Sequence, residues 1–146
     1  MEYDGIVTAK LTSDEIITAL EKEKTLILAT CTENHVTIRH MSHVNDGLTI
    51  YFQTGRDYLK TKQIIANPCV ALSIGTYDIE GKAEIIGHPK ENPLFVEKMK
   101  SKHPDAFERW SSLEDEVVIR VEIERVRQWM YVDNQPILAQ FDSKQL

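Results

Sequence analysis

The residues with the most chemical potential are a few cations set beside small hydroxyl side chains: Arg39, Thr54, Lys60 and Lys62. Arg39 sits mid-strand in an otherwise apolar hairpin, and Thr54 closes the partner strand. Lys60 and Lys62 fall in the first turns of the helix that follows. A bidentate guanidinium, an ammonium charge, a hydroxyl and free helix N-terminal amides are together what a phosphate group requires. On residue type alone the same set also reads as surface charge on a hairpin edge. Other chemistries are poorly supplied. The histidines are His35, His40, His43, His88 and His103. His40 and His43 lie three residues apart on one strand, which sends their side chains to opposite faces and disfavours a shared metal ion. There is no HExxH, CxxC or GxSxG pattern. The acidic pair Asp14-Glu15 and the run Glu114-Asp115-Glu116 fall at element ends and read as solvated charge. No side chain is assigned a catalytic role, and no metal site is expected.

The elements that position these residues belong to a chain of 146 residues, enough for one domain spanning 1–146 with one sizeable core. The composition, 42% hydrophobic and 27% charged, is that of an ordinary soluble globular protein. No segment approaches the ~20 consecutive apolar residues of a membrane helix. The opening MEYDGIVTAK is acidic where a signal peptide is basic, so a cytoplasmic location is expected. A net charge of −6 argues against nucleic acid as a partner. Cys31 and Cys69 each sit in an apolar, β-prone run and read as buried free thiols; in the cytosol a structural disulfide is not expected.

Along the chain, Thr12 or Ser13 can cap a first helix, with Ile16, Ile17 and Leu20 at helical spacing. Thr25 to Thr32 reads as a buried strand. His35 to His43 alternates, with Val36, Ile38 and His40 on one face and Thr37, Arg39 and Met41 on the other. The Asn45-Asp46-Gly47 turn is expected to join that strand to Leu48–Gln53. Asp57 can cap a helix from Tyr58 to about Ala66, which Asn67-Pro68 ends. Strand Cys69–Thr76, a turn near Asp78 and strand Ile79–Gly87 follow, with Gly81 a bulge or close-approach site. Pro93 opens a helix carrying Phe95, Met99 and Phe107, with Pro104 a candidate interruption. Val117 to Val126 alternates, Trp129 to Tyr131 extends it, and Ile137–Phe141 makes a last short strand. The expected fold class is mainly β (α+β): a barrel of about six to seven mostly antiparallel strands with three helices. No GxGxxG or Walker-type loop is present, nor the alternating βαβ pattern.

The run RHMSHVNDGLTIYFQTGRDYLKTKQIIANPCVALSI, followed by IEGKAEIIG and ERVRQW, resembles the FMN-binding core of the pyridoxamine 5′-phosphate oxidase-like family. The shared features are an arginine on the second strand, an aromatic-x-Thr strand end and a lysine opening the helix before Asn-Pro. The resemblance spans roughly Thr25 to Trp129. It implies a split β-barrel that forms a homodimer, with FMN bound across the subunit interface. It further implies that Arg39 and Lys60 hold the FMN phosphate with Thr54 nearby, and that His40, Met41 and Ser42 run beside the isoalloxazine ring. Gln53 falls where the family's strand passes the cofactor, Thr76 matches a polar position that reaches the flavin, and Trp129 closes over it from the second subunit.

Departures are specific. Gln135 and Ile137 stand where the vitamin B6 enzymes carry a substrate-gripping arginine and histidine, and Leu59 replaces an arginine beside the helix lysine. The resemblance therefore implies an FMN-dependent oxidoreductase acting on some other small molecule, with the nitroimidazole reductase-like branch similar in size. The alternatives are a non-catalytic flavin- or haem-binding module, with His40, His43 or His88 as axial ligand, and a deazaflavin-dependent reductase of the same fold.

Overall fold

A computed structural model of the chain describes residues 5–145. Residues 1–4 and Leu146, which belong to the expected 1–146 domain and in part to the segment read for a leader, lie outside the described residues. The elements in order are β1 (Val7–Lys10), α1 (Ser13–Lys22), β2 (Thr25–Thr32), β3 (His35–Ser42), β4 (Val44–Asp46), β5 (Thr49–Gly55), α2 (Leu59–Ala66), β6 (Cys69–Ile74), β7 (Tyr77–Ile85), α3 (Pro93–Lys102), α4 (Pro104–Trp110), β8 (Glu116–Val132) and β9 (Gln135–Asp142). The class is mainly β, as expected, and no helix among the described residues is long and apolar enough to cross a membrane.

The strands form one mixed sheet in the order β1-β9-β8-β7-β6-β2-β3, with β5 pairing both β4 and β8. β8 explains how such a sheet becomes a split barrel. The Glu116–Glu122 stretch pairs with β5, whereas the Arg125–Val132 stretch pairs with β9. One long strand thus serves two sheet halves while β7 runs along its other edge. Gly81 lies where the β7–β8 register shifts, and a Cβ there would stand 2.6 Å from the Glu122 carbonyl oxygen. The bulge read at Gly81 is present, and only glycine lets the two backbones approach so closely.

Local signals account for most element ends. Thr12 caps α1 in a full capping box, its hydroxyl accepting from the Glu15 amide at 3.2 Å while Glu15 Oε2 accepts from the Thr12 amide at 2.8 Å. Pro104 does interrupt the helical run, giving four α-helices among the described residues where three were expected. Asp57, by contrast, does not cap α2: the cap residue is Tyr58, and it makes no side-chain capping bond. The turn between β6 and β7 is at Gly75-Thr76, not near Asp78, because Gly75 (φ 56°) supplies the positive φ that a two-residue hairpin needs.

The largest difference is in pairing. Leu48–Gln53 is not the partner of β3. β3 pairs antiparallel with β2 through a tight turn at Glu33-Asn34, whose φ values are 48° and 66°. A turn does form at Gly47-Leu48, with Gly47 at φ 59°, but Asn45 and Asp46 are paired in the short β4, which it joins to β5. The reason is His43, which is fully buried with its ring against the α1 carbonyl of Leu20, so the strand breaks there and restarts. That break, together with β1, raises the strand count among the described residues to nine.

Inside the barrel, Leu28, Ile50, Phe52, Leu72, Ile79, Ile119 and Val121 form the main core. A second cluster of Val44, Phe95, Met99 and Val118 seats α3 against the outer side of β8. β3 keeps its alternation with an unusual sense: Thr37, Arg39 and Met41 turn inward, and Val36 (62% exposed) and Ile38 (67%) face out. The cysteines differ from expectation. Both are free, but Cys31 is half-buried and Cys69 is exposed.

Candidate functional site

Arg39, read from the sequence as a candidate phosphate ligand, lies on β3. Its inward position on β3 carries the guanidinium under the sheet, where it donates to the Leu28 carbonyl at 3.2 Å and to the Thr30 hydroxyl at 2.8 Å. It also donates to the Thr37 hydroxyl. Both threonines donate in turn to Gln63 Oε1 on α2, at 2.5 and 2.8 Å, and Gln63 Nε2 donates to the His35 carbonyl at 3.1 Å. This polar layer fixes the arginine's direction and ties β3 to the helix that carries Lys60. A guanidinium has five N–H donors, more than these contacts use.

Lys60 reaches back from the first turn of α2 to donate to Thr54 Oγ1 at 3.0 Å, and its ammonium lies 4.8 Å from the Tyr58 ring centroid. Gly55 makes room for that ring, since a Cβ there would stand 2.8 Å from it. Burial pushes the Lys60 pKa down, the charge of Arg39 pushes it further the same way, and Glu116 partly offsets both. Two cations are therefore held near each other in a partly desolvated place. The first turn of α2 holds no acidic residue, so the positive end of its dipole adds to the same field.

Lys60 and Thr54 open onto a cleft of about 240 Å³ that His40, Met41, Ser42 and Gln53 also line. Six of the nine proposed site residues thus meet in one place, with Arg39 in the layer behind and electrostatically coupled to Lys60. Thr76 and Trp129 do not join them within one chain. Thr76 sits in the β6–β7 turn, accepting from Gln128 Nε2 at 2.8 Å. Trp129 lies on the outer face of the sheet beside Ile27 and Ile38, lining a separate depression. Lys62 is exposed and does not line the cleft.

The structure adds residues that the sequence reading did not place. Met99 of α3, with Ala106 and Trp110 of α4, forms the far wall of the cleft. Lys102 and His103 pin this helix pair: Lys102 Nζ donates to the Leu20 carbonyl at 3.0 Å, and His103 Nε2 lies 2.8 Å from the His43 carbonyl oxygen. Glu116, read as solvated, is buried on the cleft wall. Ser111 Oγ donates to Gln53 Oε1 at 2.6 Å, and Gln53 Nε2 donates to Glu116 Oε1 at 3.0 Å. Burial raises the Glu116 pKa, against the opposing effects of the Gln53 bond and of Lys60. Glu114 and Asp115 remain exposed. The only sequence signal that separates Glu116 from them is its contact with the apolar run beginning at Val117.

His43, His88 and His103 are engaged structurally. His43 Nε2 lies 2.8 Å from the Leu20 carbonyl oxygen. His88 Nε2 lies 2.8 Å from the Leu113 carbonyl oxygen, and its Nδ1 accepts from the Lys90 amide at 3.1 Å. Of the three histidines considered as axial ligands, only His40 lines the cleft. Among the described residues, no cluster of three or more metal-ligating side chains occurs.

Residues 12–130 match the family described as pyridoxamine 5′-phosphate oxidase. The chain is 32% identical over 120 residues to general stress protein 26 of Bacillus subtilis strain 168, covering 77% of this chain and 84% of that protein. A solved structure from Listeria innocua, described as a putative pyridoxamine 5′-phosphate oxidase, superposes with a TM-score of 0.66 at 23% identity and covers 80% of this chain and 96% of its own. The haem storage protein of Vibrio cholerae superposes with a TM-score of 0.65 at 16% identity, covering 76% and 89%. At these identities the two structures speak to the fold alone. A fold seen in proteins with such different descriptions does not choose a cofactor; the residues of the cleft must.

Proposed function

Since this chain belongs to the pyridoxamine 5′-phosphate oxidase family, we propose that its cleft binds FMN and that the protein is an FMN-dependent oxidoreductase of a small-molecule substrate. One observation carries the reading: at the start of α2, Lys60 Nζ and Thr54 Oγ1, 3.0 Å apart, both line the cleft, with the Arg39 guanidinium anchored on Thr30 in the layer behind. A phosphate placed at the Lys60 ammonium is neutralised by it. It would also take the Thr54 hydroxyl and the α2 amides as further donors. These residues fit a flavin phosphate by charge, donor number and placement at a helix start. A haem iron instead needs an accessible imidazole; His43 and His88 are committed to carbonyl oxygens, so a haem here would bind through His40 on the cleft wall and show one sharp, intense absorption band that a flavin lacks.

Bound there, FMN would supply hydride or electron transfer, and the protein would supply position and electrostatics. Arg39, Lys60 and Thr54 hold the phosphate end. The His40–Ser42 backbone and Gln53, steadied by Ser111 and Glu116, orient what lies beyond it. Met99 and Trp110 limit water from the helical side. No side chain is needed as general base, consistent with the thin catalytic inventory of the sequence.

The cleft of one chain, about 240 Å³, falls below the roughly 300–1,000 Å³ common for ligand sites. The rest of the cofactor therefore needs another wall. Trp129, 42% exposed beside the outward Ile38, suits a homodimer in which one chain's tryptophan closes the other chain's site. Titration of apo-protein with FMN, followed by quenching of flavin fluorescence, is expected to saturate at about one FMN per chain on a dimer by light scattering. A folded protein that leaves flavin fluorescence unchanged would overturn the FMN assignment. Chromatography of the extracted cofactor separates FMN from a deazaflavin bound through the same phosphate contacts.

A further inference from the structure

The outer face of the sheet carries a second group of reactive side chains, away from the cleft. β2 and β6 pair antiparallel with Ile27 opposite Ser73, Leu28 opposite Leu72 and Ala29 opposite Ala71. The pairing ends there; the same register carried on by two residues would set Cys31 opposite Cys69, on the outward face of Ala29 and Ala71. Both cysteines line one depression of about 350 Å³, with Asn67, Val70 and Glu80 also on its walls. If the ladder closed over them, their Cα atoms would come to the roughly 4.5–5.5 Å of a regular antiparallel pair, inside the roughly 4.4–6.8 Å that a disulfide accepts.

Two neighbours set the state of this pair. Lys82, opposite Cys69 on β7, donates from Nζ to Cys69 Sγ at 2.9 Å and so fixes a cation beside the attacking sulfur. Asn67 acts in the other direction. Its side-chain amide stands between the strands, donating to the Cys31 carbonyl at 3.0 Å and accepting from the Cys69 amide at 3.1 Å. It takes the place of the next ladder bonds and keeps the reduced cysteines apart.

We propose that Cys31 and Cys69 form a peroxide-responsive dithiol, with Cys69 the attacking sulfur and Cys31 the resolving one. The Cys69 thiolate attacks hydrogen peroxide: an S–O bond forms, the O–O bond breaks, and the departing hydroxide takes a proton to become water. The Cys31 sulfur then attacks the Cys69 sulfur: the S–S bond forms, the S–O bond breaks, and the oxygen leaves as a second water with the proton from Cys31. Two thiols are oxidised and one peroxide is reduced to two waters. Closure needs the Asn67 side chain to swing out, after which the Cys69 amide can meet the Cys31 carbonyl directly.

The test uses the full, reduced chain with equimolar hydrogen peroxide, followed by intact mass measurement and peptide mapping without reductant. The expected result is a loss of two hydrogens per chain and a Cys31–Cys69 linked peptide, with the linkage within one chain at every protein concentration. Asn67→Ala should close several-fold faster and Lys82→Met several-fold slower. In Cys31→Ser, Cys69 should stop at a sulfenic acid that a dimedone probe captures. Stepwise overoxidation of Cys69 with no linked peptide, or linkage only between chains, would overturn the proposal. The readout is independent of flavin, so neither outcome bears on the cleft.

Discussion

Lys60→Met keeps most of the side-chain stem and removes the ammonium, and the structure gives its two consequences opposite signs. In the free protein the Lys60 pKa is lowered, chiefly by burial and then by Arg39. The folded state therefore holds this proton less tightly than the unfolded chain does. The charge opposes folding at neutral pH, and that opposition fades as pH rises through the folded-state pKa towards the unfolded one. Methionine removes it at every pH and forfeits one hydrogen bond to Thr54, a loss of about 0.5–1.5 kcal/mol. The two effects offset, so the apo-protein should unfold in urea at the same denaturant concentration as the parent or a higher one. FMN binding, in contrast, loses a charge-assisted bond to phosphate, roughly 1.5–3 kcal/mol. That corresponds to a Kd about tenfold to 150-fold higher. Urea melts of apo-protein and fluorescence titration with FMN, run on the same preparations, separate the two. A variant that loses stability while binding FMN as tightly as the parent would show that Lys60 is a brace for α2 and refute the phosphate site.

Two further outcomes are expected. Burial holds the His43 pKa down at about 4 from an ordinary 6.5, and His103 is lowered in the same sense. The unfolded chain thus binds more protons between those pH values, and stability should fall by up to about 3 kcal/mol as pH drops through the window. Urea midpoints from pH 7 to 5 should show this slope in the parent and a weaker one in His43→Gln; equal slopes would contradict it. Gly81→Ala places a Cβ 2.6 Å from the Glu122 carbonyl oxygen, a backbone clash that should destabilise by roughly 1–3 kcal/mol. A melting temperature equal to the parent's would mean that the β7–β8 bulge relaxes freely.

What could be read from the sequence was local. The cap at Thr12 or Ser13, the strand from Val117 to Tyr131, the Gly81 bulge and the Pro104 break each follow from a few neighbouring residues. Alternation in β3 correctly separated Thr37, Arg39 and Met41 from Val36 and Ile38. It says which residues share a face but not which strand lies alongside, so the partner of β3 was misassigned. The core places with the strongest tertiary demand were also misjudged. His43 breaks a strand because its ring has a carbonyl partner on α1, and Glu116 is buried because Gln53 and Lys60 converge on it. The helical wall of Met99, Ala106 and Trp110 belongs to the cleft only through the packing of α3 on β8, which no spacing in those helices reveals. The family resemblance, by contrast, brought six of nine site residues to one cleft because it carried long-range order that periodicity lacks.

The β1–β9 pair has a consequence for how the chain assembles. It is the parallel pair of the sheet and joins Val7 to Ile137, almost the two ends of the sequence. The β2–β3 hairpin, whose turn lies between adjacent strands, closes a short loop and can form early. β1 has to wait until β8 and β9 are in place, because closing a loop of that length is repaid by four exposed residues only. The same arithmetic run backwards makes β1 the segment that opens first in the native state, without disturbing the barrel core. When it lifts, β9 is uncovered as a sheet edge with unpaired amides. The brief opening of a four-residue strand, rather than global unfolding, is then the route by which two chains could exchange or add strands at this end of the sheet.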